Sequence, residues 1–202
     1  MSQSIDYDKL HKDFNKDHSK STDVDLSEGS IYLPLIKGKL YGNIQHNPNY
    51  KIYVDLDGVL VDFNKGYSEL TGIDLEKNPD IPPYKFWPPI HKAGEEWWEN
   101  LEWMPEGRKL WNYVEKYRPQ ILSAPSRSKS SITGKEKWMD KNLPHINLIL
   151  RKASKKRDFA ETFAILIDDR ESNVSEWIES GGIGILFKST DQTINELKKL
   201  GL

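Results

Sequence analysis

The sequence predicts an α/β three-layer sandwich built on a central parallel sheet, with a small helical cap inserted after the first strand. Three observations predict it. From residue 51 onward, short β-branched apolar runs alternate with helix-length segments. The first run is separated from the second by about 54 residues (64–117), where a simple crossover needs about a dozen or more. The chain has 202 residues, enough for one substantial core, since single domains run to about 100–200 residues.

Residues 1–50 are polar and read as an N-terminal arm or extension. Within them IYLPLIKGKLYG (31–42) reads as a short hairpin or an arm on the core, with no chemistry assigned. The strands are KIYVDL (51–56), PQILSA (119–124), INLIL (146–150), FAILID (163–168) and GIGILF (182–187). Helices are predicted at ITGKEKWMDKNL (132–143), at ESNVSEWIES (171–180), ended by Gly181 and Gly182, and at DQTINELKKL (191–200), capped by Asp191 or Thr190. Alternation of this kind favours right-handed crossovers and a parallel sheet. The long interval opens with NKGYSELTG and passes through the Pro-rich NPDIPPYKFWPP. It then shows two helical stretches, HKAGEEWWENL and PEGRKLWNYVEKY, and holds five of the seven tryptophans. It reads as a cap over the strand ends, where ligands bind in open α/β sheets. The division is therefore 51–63 with 118–202 as core and 64–117 as cap.

Composition excludes several classes. Hydrophobic residues make up 37% and charged residues 30%, and no apolar run approaches the roughly 20 residues of a membrane span. There is no cysteine, hence no disulfide, thiolate metal site or cysteine nucleophile. The N-terminal segment lacks the apolar core of a secretory signal, so a cytoplasmic location is expected. The sequon at Asn173 carries no meaning there, and the five histidines show no metal spacing. The net charge of −2 hides a local excess: residues 127–157 hold ten Lys or Arg against Glu136 and Asp140. This basic surface reads either as solvated faces or as an attractor of a phosphorylated ligand, a polynucleotide included.

The chemistry gathers at strand ends. KIYVDLDGVLVDF (51–63) sets Asp55 and Asp57 just after a buried strand, where an ionised carboxylate is costly without a cation or hydrogen bonds. The DGV turn lets one face a metal and the other a leaving group. AILIDDR brings Asp168 and Asp169 to the end of a second strand. Carboxylates converging from two strands make a hard, oxygen-rich site suited to Mg²⁺. Asp62 reads as a turn residue rather than a ligand. GGIG (181–184) reads as a turn, since it lacks the third glycine and following helix of a dinucleotide fingerprint.

These residues also carry a resemblance. DLDGVLVDF resembles the first signature of the haloacid dehalogenase superfamily of phosphohydrolases, ILSAP the second, Lys156 in KKRDFA the third and LIDDR the fourth, in order across about residues 51–187. The 5′(3′)-deoxyribonucleotidase branch looks closest. The resemblance implies a Rossmann-like sandwich and a Mg²⁺-dependent phosphatase. Asp55 would attack phosphorus and form an aspartyl-phosphate. Asp57 would act as general acid and then base, which requires it to hold a proton near neutrality, a condition that neighbouring carboxylates and partial burial favour. Mg²⁺ would be held by Asp55, the backbone carbonyl of Asp57, Asp168 and Asp169, the last directly or through water. Ser123 and Lys156 would bind the phosphoryl oxygens. Lys152 and Lys155 compete with Lys156 for that role, and loop length decides. LSAP departs from the LTSP of that branch: Ala124 removes a hydroxyl that Ser126 or Ser128 would have to supply.

In the superfamily the chain resembles, an aspartate two positions after the nucleophile, here Asp57 after Asp55, implies phosphoryl transfer to water. The cap rings Phe86, Trp87, Trp97, Trp98 and Trp103 offer faces for a nucleobase, or else pack the cap's own core. Because adjacent helix residues face different ways, at most one of Trp97 and Trp98 should point into the site. The expected partner is a small phosphorylated substrate, foremost a nucleoside monophosphate. A sugar phosphate or other small ester, and a nucleic-acid end or strand bound by 127–157, stay open as alternatives.

Overall fold

The computed structural model describes residues 31–32 and 49–202. The remainder of IYLPLIKGKLYG and of the N-terminal arm lies outside the described residues. Among the described residues, six strands form one sheet: β1 (Ile31–Tyr32), β2 (Lys51–Val54), β3 (Gln120–Ser123), β4 (Leu148–Leu150), β5 (Ala164–Asp168) and β6 (Ile183–Leu186). Their order is β1-β6-β5-β2-β3-β4. β2 through β6 pair in parallel, and β1 pairs antiparallel with β6. All five runs from residue 51 onward are therefore strands of one parallel sheet, as expected, and Ile31–Tyr32 adds an edge.

Period-two alternation builds the layers. Ile52, Val54, Ile121, Ile165 and Ile167 face one core, while Tyr53, Leu122, Ala164 and Leu166 face a second core with Trp177. Both faces are apolar because both are covered, the normal state of a parallel sheet. The first face receives α3 (Gly107–Val114), α4 (Lys129–Asn142) and α6 (Thr190–Lys199), through residues such as Leu110, Trp138 and Leu197. The second receives α5 (Glu171–Glu179), which carries Trp177, and a 3₁₀ stretch, Ala153–Phe159. The result is an α/β, Rossmann-like three-layer sandwich.

Strand order positions the site. The chain leaves β2 for β3 and β4 on one side, then returns to β5 and β6 on the other. Connections diverge at β2, and the carboxyl ends of β2, β3 and β5 therefore lie where open α/β sheets form their ligand crevice.

Two details differ from the sequence reading. The cap of α6 is Ser189, whose side chain accepts from the Gln192 N–H at 3.2 Å, rather than Thr190 or Asp191; its extended backbone leaves the hydroxyl free to reach the first turn. The interval 64–117 also splits. α1 (Phe63–Thr71) and α2 (Pro83–Glu99) form the aromatic-rich insert. α3 lies against α6, where Lys109 pairs Asp191 at 2.6 Å and Thr190 donates to the Glu106 carbonyl at 3.2 Å. α3 is thus the crossover helix into β3, because its buried stripe of Leu110, Trp111 and Val114 matches the sandwich core. The Pro-rich stretch begins α2: Pro83 stands in its first turn, where a missing N–H costs nothing. α2 breaks at Gly94 (φ 72°) into two helical pieces.

Candidate active site

Five segments bring side chains to the crevice: the turn after β2, the end of β3, α4, the 3₁₀ stretch and the end of β5. Asp55 follows β2 and stays in the ladder, its N–H donating to the Ile167 carbonyl at 2.9 Å. Leu56 N–H donates to Asp55 Oδ1 at 2.8 Å. The chain then turns tightly, with Gly58 N–H bonded to the Val61 carbonyl at 2.8 Å. Gly58 sits at φ 78°, and a Cβ there would lie 2.3 Å from Asp169 Oδ2. Glycine is required on both counts: it supplies the left-handed backbone and it lets Asp169 lie against the loop. Asp62 caps α1, accepting from the Lys65 N–H at 2.9 Å.

Asp168 ends β5, is fully buried, and is fully bonded. The Arg170 N–H donates to Oδ1 at 2.9 Å, and Asn173 Nδ2 donates to both oxygens at 2.9 and 3.0 Å. Asn173, dismissed as a sequon, is thus a buried orienting group. Lys156 completes the cluster: its ammonium, 1% exposed, lies 2.6 Å from Asp168 Oδ2 and 3.0 Å from Asp55 Oδ1. Lys152 and Lys155 are exposed. The 3₁₀ turn settles which of the three lysines faces inward.

Asp55, Asp168 and Asp169 each place an oxygen within 4.8 Å of the others. Burial and mutual repulsion act on Asp168 and Asp169. Burial and the Asp55 charge raise the Asp168 carboxyl above its usual range, against the opposing pull of Lys156. Loss of water and the charges of Asp55 and Asp168 push Asp169 up to about 7. Burial opposes the charge on Lys156, yet Asp55 and Asp168 outweigh it and hold that ammonium above its ordinary pKa. One lysine among three carboxylates leaves negative charge in excess. Among the described residues Asp169, which reaches the surface while its carboxyl lies against Gly58, makes no hydrogen bond or ion pair. A hard divalent cation fits this donor set, because all of its atoms are oxygen and the excess is anionic.

Asp57 does not join the trio. It was expected among carboxylates, but its partner is Lys135, whose ammonium donates to both Asp57 oxygens at 2.7 Å and lies 3.2 Å from Ser123 Oγ. Lys135 is 1% exposed and lies under the Trp98 ring, 5.1 Å from its centroid. Lys135 escaped the sequence reading, yet a signal exists. The buried stripe of α4 is Ser131, Gly134, Lys135, Trp138 and Met139, so the lysine occupies a core position of a helical repeat. Ser126 and Ser128 turn to their own helix: Ser128 caps α4, and Ser126 Oγ accepts from the Ser128 N–H at 3.2 Å.

Of the aromatic pair, Trp98 faces Lys135, while Trp97 turns away and donates to the Gly66 carbonyl at 3.2 Å. The cap rings cover one another. Phe86 stacks on Tyr67 and Phe63, Trp87 meets Phe86 edge-on, and Trp97 meets Trp98 at 79°. Trp103 donates to Asn142 at 2.9 Å and packs on Trp138. The basic stretch is also less free than its composition implies. Lys135 and Lys156 are buried in the site, Lys137 pairs Glu95 and Glu99, Lys155 pairs Asp158, and Arg157 approaches Glu176.

No family model matches the chain, and no curated protein matches it. Solved structures similar to it include a HAD-superfamily hydrolase from Ehrlichia chaffeensis, at 16% identity, TM-score 0.46, covering 75% of this chain and 97% of that one. Another, described as a predicted phosphatase, is from Clostridium acetobutylicum, at 12% identity, TM-score 0.48, covering 74% and 98%. A third is a HAD-hydrolase of Bacillus subtilis bound to magnesium, at 9% identity, TM-score 0.46, covering 73% and 98%. The fold class itself rests on strand order and layer packing.

Proposed function

We propose that this protein is a Mg²⁺-dependent phosphatase that hydrolyses a phosphate monoester through an aspartyl-phosphate, with a nucleoside monophosphate as its foremost substrate. The observation that carries the reading is the trio Asp55, Asp168 and Asp169 beside Lys156 at the divergence of strand connections. The resemblance of DLDGVLVDF and LIDDR to haloacid dehalogenase signatures supports it.

Asp55, Asp168, Asp169 and the Asp57 carbonyl would hold the metal, which supplies charge neutralisation where nucleophile and phosphoryl oxygen meet. The chain's own groups do the rest. An Asp55 oxygen bonds to phosphorus as the ester P–O bond breaks, and a proton on Asp57 passes to the leaving oxygen. Water then attacks phosphorus and gives a proton to Asp57, Asp55 is released, and the products are an alcohol and inorganic phosphate. Ser123 donates to a phosphoryl oxygen, and Lys156 stabilises the charge that develops.

The nucleotide is supported by the likeness to the deoxyribonucleotidase branch and by the ring-rich insert above Lys135. A second reading, a sugar phosphate or another small ester, is favoured by the mutual stacking of Phe63, Tyr67 and Phe86, which leaves their faces to one another rather than to a base. The test is phosphate release from nucleoside monophosphates, sugar phosphates and 3′-phosphorylated oligonucleotides, with Mg²⁺ or with EDTA, for the native protein and Asp55→Asn. Release that needs both Mg²⁺ and Asp55 is expected, with a loss of about 10³-fold or more in the variant. Silence across the panel overturns the reading.

A further inference from the structure

We infer that Lys135 is a positioning residue for leaving-group protonation: it holds the Asp57 carboxyl in one orientation beside Ser123, and the cap secures it there through Trp98. The inference rests on the phosphatase reading and goes beyond it, since neither the acid trio nor Lys156 requires a second buried lysine.

A lysine with 1% exposure at a core position of α4 is costly unless its charge is compensated. Three groups compensate it: both Asp57 oxygens at 2.7 Å, Ser123 Oγ at 3.2 Å, and the face of Trp98, 5.1 Å away at its centroid. The geometry differs from that of Lys156, which bridges Asp55 and Asp168 on the metal side. Lys135 instead meets the proposed acid, Asp57, and the proposed phosphoryl donor, Ser123, with Trp98 over it. A carboxyl that accepts from a fixed ammonium cannot rotate freely. With both oxygens 2.7 Å from the same ammonium, the plane of the Asp57 carboxyl is fixed, and so is the direction in which it faces. Gly134 allows the arrangement, since a Cβ there would lie 2.4 Å from Trp98 Cβ and 2.6 Å from the Glu95 carbonyl.

The experiment compares native protein, Lys135→Met, Asp57→Asn and Asp57→Asn/Lys135→Met, all with Mg²⁺, on two esters of the same phosphoryl group. One has an alkoxide leaving group that needs a proton; the other, p-nitrophenyl phosphate, leaves readily without one. Lys135→Met is expected to lower kcat on the alkyl ester by about 10- to 10²-fold, within what a general acid supplies, while p-nitrophenyl phosphate is largely spared. In the Asp57→Asn background, adding Lys135→Met should bring no further leaving-group effect. Equal losses on both esters, or a differential loss that persists without Asp57, overturn the inference. So does a weakened inhibition by inorganic phosphate with both esters affected alike, which assigns Lys135 to phosphoryl binding. Melting curves accompany each variant, and the double variant removes both charges of the buried pair. If neither it nor Lys135→Met folds, the lysine is structural and the inference falls. A native protein silent on both esters, by contrast, refutes the phosphatase reading itself.

Discussion

Removing the Lys156 ammonium would leave Asp55 and Asp168, both buried, with no cation between them. Loss of one partner from a buried, hydrogen-bonded ion pair costs about 3–5 kcal/mol, because the charge left behind stays desolvated. Lys156→Met is therefore expected to lower unfolding stability by about that amount in EDTA, read by urea denaturation, and millimolar Mg²⁺ should restore part of it by supplying charge to the same carboxylates. No recovery would show that these acids hold no divalent cation. At this scale the sequence is uneven in what it reveals. Asp55, Asp57, Asp168 and Asp169 are legible because acids at the ends of apolar strands need a cation. Lys135 is legible only when α4 is laid out as a helix and its buried stripe is read residue by residue. Asn173 carries no such signal: its role depends on α5 starting where Asp168 Oδ1 and Oδ2 can reach its amide.

At the scale of elements, the contact between α2 and α4 ties the aromatic insert to the site. Thr133 donates to Glu95, Lys137 pairs with Glu95, and Gly134 admits the backbone of α2 and the stem of Trp98. Gly134→Ala would push a methyl into the Glu95 carbonyl and Trp98 Cβ, neither a flexible chain end, so the helices must separate. Overpacking of this kind costs about 1–3 kcal/mol, offset in part by the better helix propensity of alanine. The expected outcome is a lower melting temperature together with a red shift of Trp emission, as Trp98 loses its buried seat. A variant with native stability and emission would show that the two helices are not locked. Length and tryptophans signal an insert after β2, but not where it ends. PEGRKLWNYVEKY has the pattern of any amphipathic helix, and only its contact with α6 assigns α3 to the sandwich.

For the molecule as a whole, the acid cluster links folding, pH and metal. Asp169 titrates near 7 in the metal-free fold against an ordinary value of 3.8. Between those values the native state binds more protons than the unfolded chain, so stability falls as pH rises through this window and levels off above about 7. A divalent cation needs the deprotonated carboxylates, so its stabilisation should grow as pH rises across the same interval. Melting temperatures measured in EDTA and in Mg²⁺ should therefore diverge from about pH 5 to pH 8. A gap that is constant or that narrows contradicts the assignment of Asp169 to the site.

By itself the sequence determined the parallel sheet, through five apolar runs with helices between them, and the chemistry of the crevice, through acids at two strand ends. Both are local properties, written in residue type and period. Tertiary structure decided which charges meet. Lys156 faces Asp55 and Asp168 because of a 3₁₀ turn, and Asp57 turns to Lys135 because α4 runs beneath Trp98. These pairings span 78 residues in one case and 12 in another. Their physical reason is electrostatic: a buried charge must find its opposite, and the fold as a whole determines which one lies within reach.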